Sequence, residues 1–170
     1  MPKLIIVCGY PGTGKTTLAA ALSREFGLPC LHKDFLKEYL YDSFDMSTLE
    51  DSKWVGKVTI GLLYQLAEQQ IRRGVDLMLD SAFMYPDDYK MLYEWMEKYD
   101  LDITSIVCTI DDAIRQKRIV ERPRHRAHHD SEREHATANN GIYESMPGKK
   151  IVVSCDKPIE ELVSEVKTSL

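Results

Sequence analysis

The sequence predicts an α/β fold: a parallel sheet with helices on both faces, in one domain over residues 1–170. Three observations predict it. Short β-type apolar runs alternate with longer segments of helical period along the whole chain. No internal repeat or low-complexity tract interrupts that alternation. The length of 170 residues suits one substantial core.

Taken in order, residues 3–8 read as the first strand. Residues 15–26 read as a helix, stopped by Gly27. A short second strand covers 29–32, and a helix covers 34–41. The polar stretch 42–52 reads as a loop. A long helix follows over 52–73, with Val55, Val58, Leu62 and Leu66 near helical spacing, and Gly74 ends it. Residues 75–80 form a buried-type strand. Pro86 opens a helix over 86–99. The run 103–110 is rich in β-branched residues and reads as a strand. Asp111 and Asp112 cap a helix to about Val120. Residues 123–130 are polar and basic and break the pattern. Ser131 with Glu134 has the form of a capping box, which predicts one more helix toward Tyr143. Pro147-Gly148 is a turn, 151–153 the last strand, and Pro158 begins a final amphipathic helix.

Composition bounds the function. Apolar residues at 44% and charged residues at 29% are those of a soluble globular protein. The formal charge of −5 argues against a surface that coats nucleic acid. Residues 115–135 hold seven Arg/Lys against four Asp/Glu, a segment of +3, which leaves −8 for the rest. The first apolar run ends at Gly9, too short for a signal peptide or a membrane span. Cys8, Cys30, Cys108 and Cys155 are far apart, form no C-x-x-C, and read as reduced thiols in or beside apolar runs. A cytoplasmic protein with no membrane partner is expected.

The chemistry starts at Gly9-Tyr10-Pro11-Gly12-Thr13-Gly14-Lys15-Thr16, a G-x-x-x-x-G-K-T sequence between strand and helix. Polyphosphate is a diffuse anion that many donors must hold. Glycines at 9, 12 and 14 let consecutive backbone N–H groups turn inward. The helix opening at the loop adds its positive dipole end. Lys15 reaches the β- and γ-phosphates, and the Thr16 hydroxyl suits Mg²⁺. Gly9, Pro11, Gly12, Thr13, Gly14, Lys15, Thr16 and Thr17 are therefore the expected nucleotide-binding residues.

Ligands on parallel sheets bind beyond the carboxyl ends of the strands. His32, Lys33 and Asp34 end strand two there, and Asp80 and Ser81 end strand three. Asp80 closes an apolar run, the Walker-B pattern, and is expected to hold Mg²⁺ directly or through water, although a turn residue has the same pattern. Asp34 is placed to orient an acceptor hydroxyl and take its proton, and it also fits a helix N-cap. Arg118 and Arg122 lie one helical turn apart, and one arginine of this basic stretch is expected to act as a lid finger. Arg115 and Lys117 read as surface residues. His125, His128 and His129 are adjacent in a loop and a poor template for zinc. Tyr39, Tyr41, Phe44 and Trp54 read as core, with a substrate pocket as the alternative.

These residues resemble the P-loop kinase superfamily, in the branch that groups polynucleotide 5′-kinases, zeta-toxin-like kinases, chloramphenicol phosphotransferase and small-metabolite kinases. The resemblance rests on residues 9–16, His32-Lys33-Asp34, Leu79-Asp80-Ser81, Arg118-Ile119-Val120-Glu121-Arg122 and Ser154-Cys155-Asp156-Lys157-Pro158. It implies a three-layer P-loop NTPase fold with a five-stranded parallel sheet in order 2-3-1-4-5 and a small mobile lid over about 118–135. It implies ATP and Mg²⁺ as cofactors and Asp34 as the acceptor-binding carboxylate. It also implies Arg118 near the adenine and Arg122 on the phosphates. The His- and Arg-rich segment 123–129 departs from that branch.

The expected function is transfer of the γ-phosphate of ATP to a hydroxyl of a small molecule or of a nucleic-acid 5′ end. Lys15, Asp34 and Arg122 are the expected catalytic residues, and Thr16 and Asp80 the expected metal-binding residues. The alternative is a nucleotide-dependent ATPase or switch that binds a protein partner. No N-K-x-D sequence for guanine recognition is present.

Overall fold

The computed structural model describes residues 1–122 and 124–170. Five parallel strands form one sheet in the order β2-β3-β1-β4-β5. They are β1 (Lys3–Cys8), β2 (Cys30–His32), β3 (Leu77–Asp80), β4 (Asp102–Thr109) and β5 (Lys149–Ser154). The helices are α1 (Lys15–Phe26), α2 (Lys33–Ser43), α3 (Leu49–Ile71), α4 (Pro86–Tyr99), α5 (Asp112–Glu121) and α6 (Ile159–Ser169). The expected sheet order is the observed one.

The central strand β1 is buried on both faces, and its alternate side chains seed two cores. Leu4, Ile6 and Cys8 meet Leu77, Leu79, Ile103 and Val107 under Leu63, Ala67 and Ile71 of α3 and Leu92 and Trp95 of α4. Ile5 and Val7 point the other way, toward Leu18 and Leu22 of α1 and Leu162 and Val166 of α6. This two-sided burial is why the strands carry near-continuous apolar runs. A third, small cluster of Tyr41, Val55 and Ala127 joins α2, α3 and the segment after α5.

Most boundaries follow local chemistry. Gly27 takes a left-handed φ of 64° and its N–H bonds Ser23 O, ending α1. Pro86 stands at the start of α4. The Asp111 side chain accepts from Ala113 N and Ile114 N and caps α5. Helix α3 begins three residues earlier than the sequence pattern indicates. Thr48 and Asp51 form a reciprocal capping box inside the polar stretch, so the expected loop is shorter.

The helix expected after Ser131 does not form. Residues 130–133 are a turn and bend, 134–139 are irregular, and a 3-10 turn covers Asn140–Ser145. The segment 131–140 offers only alanines as apolar residues, so it has no stripe to bury. Its carbonyls are used elsewhere: His135 O accepts from Gln116 Nε2 at 2.6 Å and Ala136 O from Arg115 at 2.6 Å. Among the described residues no helix is long and apolar enough to cross a membrane. The four cysteines are free thiols, three of them buried.

Candidate active site

The loop between β1 and α1 has the backbone its glycines permit. Gly9, Gly12 and Gly14 hold φ of 147°, 87° and 99°. A Cβ on Gly9 would stand 2.5 Å from Cys108 O, and one on Gly12 would stand 3.0 Å from Arg115 O. Glycine is required there by space as well as by conformation. Thr13 is buried and its Oγ1 donates to Tyr10 O at 2.9 Å, which tightens the turn. Lys15 is 8% exposed. Pro11 and Thr16 are half-buried and Thr17 is exposed.

Parallel register brings the other strand ends to this loop. Val7 pairs with Asp80, and Asp80 pairs with His32. Asp80 is 2% exposed. Its Oδ2 lies 2.9 Å from His32 Nδ1, while Oδ1 is buried with no hydrogen-bond partner among the described residues. An orphaned carboxylate oxygen beside a phosphate-type loop fits a hard cation such as Mg²⁺, and the Thr16 hydroxyl is of the same donor type. His32 orients this carboxylate, a role that only the long-range register discloses.

Asp34 lies in the first turn of α2, whose N-cap is His32; it is not the cap itself. Its side chain is a quarter exposed, with Lys33 Nζ at 3.6 Å and Arg124 Nη1 at 4.0 Å. Burial alone would raise the Asp34 carboxyl. The positive charges around it, led by Lys15 and Lys33, outweigh that and hold it at about 2. Lys33 is itself pushed down by its burial.

The arginines separate. Arg118 reaches from α5 to the loop: Nη1 donates to Thr13 O at 3.4 Å and Nη2 to Cys155 O at 3.2 Å. It therefore joins the glycine loop to the segment after β5. Arg122 follows one turn on, its N–H donating to Arg118 O at 3.0 Å. It is the exposed C-cap of α5, with φ −114° and ψ 89° off the helical path. Arg115 is no surface residue: it is 1% exposed. Its Nη1 donates to Pro11 O at 3.1 Å, its Nη2 to Ala136 O, and its Nε to Asp112 Oδ1 at 2.7 Å. Its guanidinium also lies 5.6 Å from the Tyr10 ring centroid. Arg115 is thus the internal strut of the loop, and a helical-period reading does not reveal it.

The segment after α5 is fastened onto α2. His128 Nε2 lies 2.8 Å from Glu38 Oε1, and His125 and Arg126 both bond Asp42. His129 Nε2 lies 2.7 Å from the Tyr41 hydroxyl. Arg124 forks onto Asp130. The histidines thus serve as separate clasps. Pro123, at the start of this basic segment, lies outside the described residues. Tyr41 is buried, as expected of a core aromatic, whereas Tyr39, Phe44 and Trp54 are exposed.

Comparison with known proteins gives the family and the fold. Residues 4–142 match the AAA domain family AAA_33, and the chain belongs to that family. The crystal structure of a kinase candidate from Chloroflexus aurantiacus j-10-fl superposes with a TM-score of 0.80 at 27% identity, covering 99% of this chain and 98% of that one. A sugar kinase from Janibacter sp. HTCC2649 gives a TM-score of 0.60 at 18% identity over 99% and 94%, a likeness of fold alone. A tRNA dimethylallyltransferase from Acaryochloris marina (strain MBIC 11017) is 43% identical over 51 residues, 30% of this chain. The chain spans only 16% of that protein's length. Family and fold are those of the P-loop kinase superfamily, whose members are nucleotide-binding phosphotransferases.

Proposed function

We propose that the protein transfers the γ-phosphate of ATP to a hydroxyl group of a small molecule or of a nucleic-acid 5′ end. The observation that carries this reading is Asp34. An ionised carboxylate is held by cations at the end of β2, with Lys15 of the glycine loop foremost among them. An ATPase or switch has no need of a carboxylate for an acceptor hydroxyl.

The roles follow from the side chains. The backbone amides of residues 9–17 and Lys15 bind the polyphosphate tail of the substrate ATP. Thr16 and Asp80 would hold Mg²⁺, which supplies charge neutralisation on the phosphate oxygens. Arg118 bridges the loop and the Cys155 carbonyl, where it can flank the adenine. Arg122, exposed at the C-cap of α5 within the lid over 118–135, is assigned to the phosphates.

Asp34 at about 2 is a weak base in the resting protein. Phosphoryl transfer of a loose kind demands orientation of the hydroxyl more than early proton removal. Asp34 therefore accepts the acceptor's hydrogen bond and takes its proton late. When a phosphate tail takes up the charge of Lys15, the largest of the cationic influences on Asp34 is neutralised and its basicity rises.

The test is a screen of hydroxyl acceptors with labelled ATP, covering 5′-hydroxyl oligonucleotides, sugars, nucleosides and antibiotics. One class should take the label, and Asp34→Asn should cut that transfer by about 10²–10⁴ while ATP binding persists. Rapid ATP hydrolysis that no acceptor alters would refute the kinase reading. Full transfer by the Asn variant would refute the role of Asp34.

A further inference from the structure

Behind Asp34 lies a group of cations that phosphoryl transfer from ATP does not employ. Lys37 is 3% exposed, and its Nζ donates to Ser52 Oγ at 2.9 Å. Arg133, from the segment after α5, donates through Nη2 to the same oxygen at 2.9 Å. Ser52 Oγ in turn donates to Ala127 O at 2.6 Å. A neutral hydroxyl therefore bridges two cations, with its lone pairs and its proton already used. Arg133 Nε is buried with no partner among the described residues. Lys33 stands one turn before Lys37 on α2 and faces Asp34.

Such an arrangement is costly. Buried like charges repel, and a buried charge without a counter-ion loses its hydration. The protein responds at Lys37, where burial first, and then Lys33 and Arg133, pull the ammonium down to about 7. Among the described residues, neither Lys37 nor Arg133 has a carboxylate in salt-bridge contact. A purely structural clasp would do better with a carboxylate or an apolar pair. A ligand that brings negative charge offsets the penalty and offers an acceptor to the unpaired Arg133 Nε–H.

We infer that the acceptor carries a phosphate-type dianion, received by Lys33, Lys37 and Arg133 beside Asp34; this rests on the kinase reading above. Three donors of positive charge suit a tetrahedral dianion better than a carboxylate. Ser52 already ties Ala127 and Arg133 to α3, and an anion held by Arg133, Lys33 and Lys37 would add to that tie between the segment after α5 and α2.

The test uses the whole protein with its glycine loop filled by Mg²⁺ and a non-hydrolysable ATP analogue, so that added anion has no access there. Inorganic phosphate is titrated calorimetrically, with acetate at matched ionic strength as the second arm. Phosphate should bind the loaded protein about tenfold or more tighter than acetate. Lys37→Met and Arg133→Met should each weaken phosphate by about tenfold, the loss of a charge-assisted hydrogen bond. Affinity for the ATP analogue should stay within about twofold in both variants. If Lys37→Met does not fold, Arg133→Met, whose site is partly open, decides alone. Failure of phosphate to bind the loaded protein, equal binding of acetate, or no loss in the variants overturns the inference. Failure of the ATP analogue to bind would instead overturn the kinase reading, and this inference with it.

Discussion

Arg115→Met removes a guanidinium that spans three elements and leaves most of its apolar stem. Arg115 is 1% exposed and donates to Pro11 O, Ala136 O and Asp112 Oδ1. A hydrogen bond from a charged group contributes roughly 1.5–3 kcal/mol when fully buried. The pairing with Asp112 must be discounted, because that carboxylate is a third exposed. Ala136 is exposed, so water can replace part of its lost partner. Pro11 O and the contact over Tyr10 remain as the larger losses. Together these give a destabilisation of about 3 kcal/mol. Urea unfolding of both proteins followed by circular dichroism measures it. The loop should also loosen, so the Kd for an ATP analogue should rise in the folded variant. A loss below about 1 kcal/mol with unchanged nucleotide affinity would refute the view that Arg115 braces the glycine loop.

Other consequences are equally direct. Lys15→Ala should abolish most ATP-analogue binding in calorimetry while the far-ultraviolet spectrum is retained; unchanged binding would contradict its placement. Gly9→Ala puts a Cβ 2.5 Å from Cys108 O at a φ of 147°, so it should lower Tm and nucleotide affinity together, read by thermal melts with and without the analogue. Leu63→Ala, on the buried face of α3 against the sheet, should cost about 2–5 kcal/mol in urea without a specific effect on nucleotide binding. Asp34 is held at about 2 against an ordinary 3.8. Its contribution to stability is present above the ordinary value and disappears as pH falls through the folded one. The stability difference between wild type and Asp34→Asn should therefore be flat at neutral pH and change between about pH 4 and 2, which acid titrations of urea midpoints would show.

Legibility in the sequence follows the range of the interactions. The glycine loop, α1 and α4 are read from local chemistry, because Gly27 and Pro86 punctuate the chain where they stand. The sheet order matches the family resemblance. The start of α3 escapes a periodicity reading since Thr48 and Asp51 cap it from within a polar stretch. The pairing of His32 with Asp80 depends on register between β2 and β3, which no local pattern carries. Arg115 sits at a helical position that looks solvated, and only Pro11 and Ala136 converging from far along the chain bury it. The segment after Ser131 has capping residues but no apolar face, so tertiary partners for its carbonyls prevail over the local helix signal.

The central claim is that the amides of residues 9–17 cradle a triphosphate whose terminal group faces Asp34. A crystal structure with Mg²⁺ and a non-hydrolysable ATP analogue tests it most directly. The account predicts the phosphates in that loop, with Lys15 on the terminal pair, Asp80 near the metal and Asp34 on the open side of the γ-phosphate. A triphosphate seated elsewhere, or Asp34 turned away from the γ-phosphate, would contradict it.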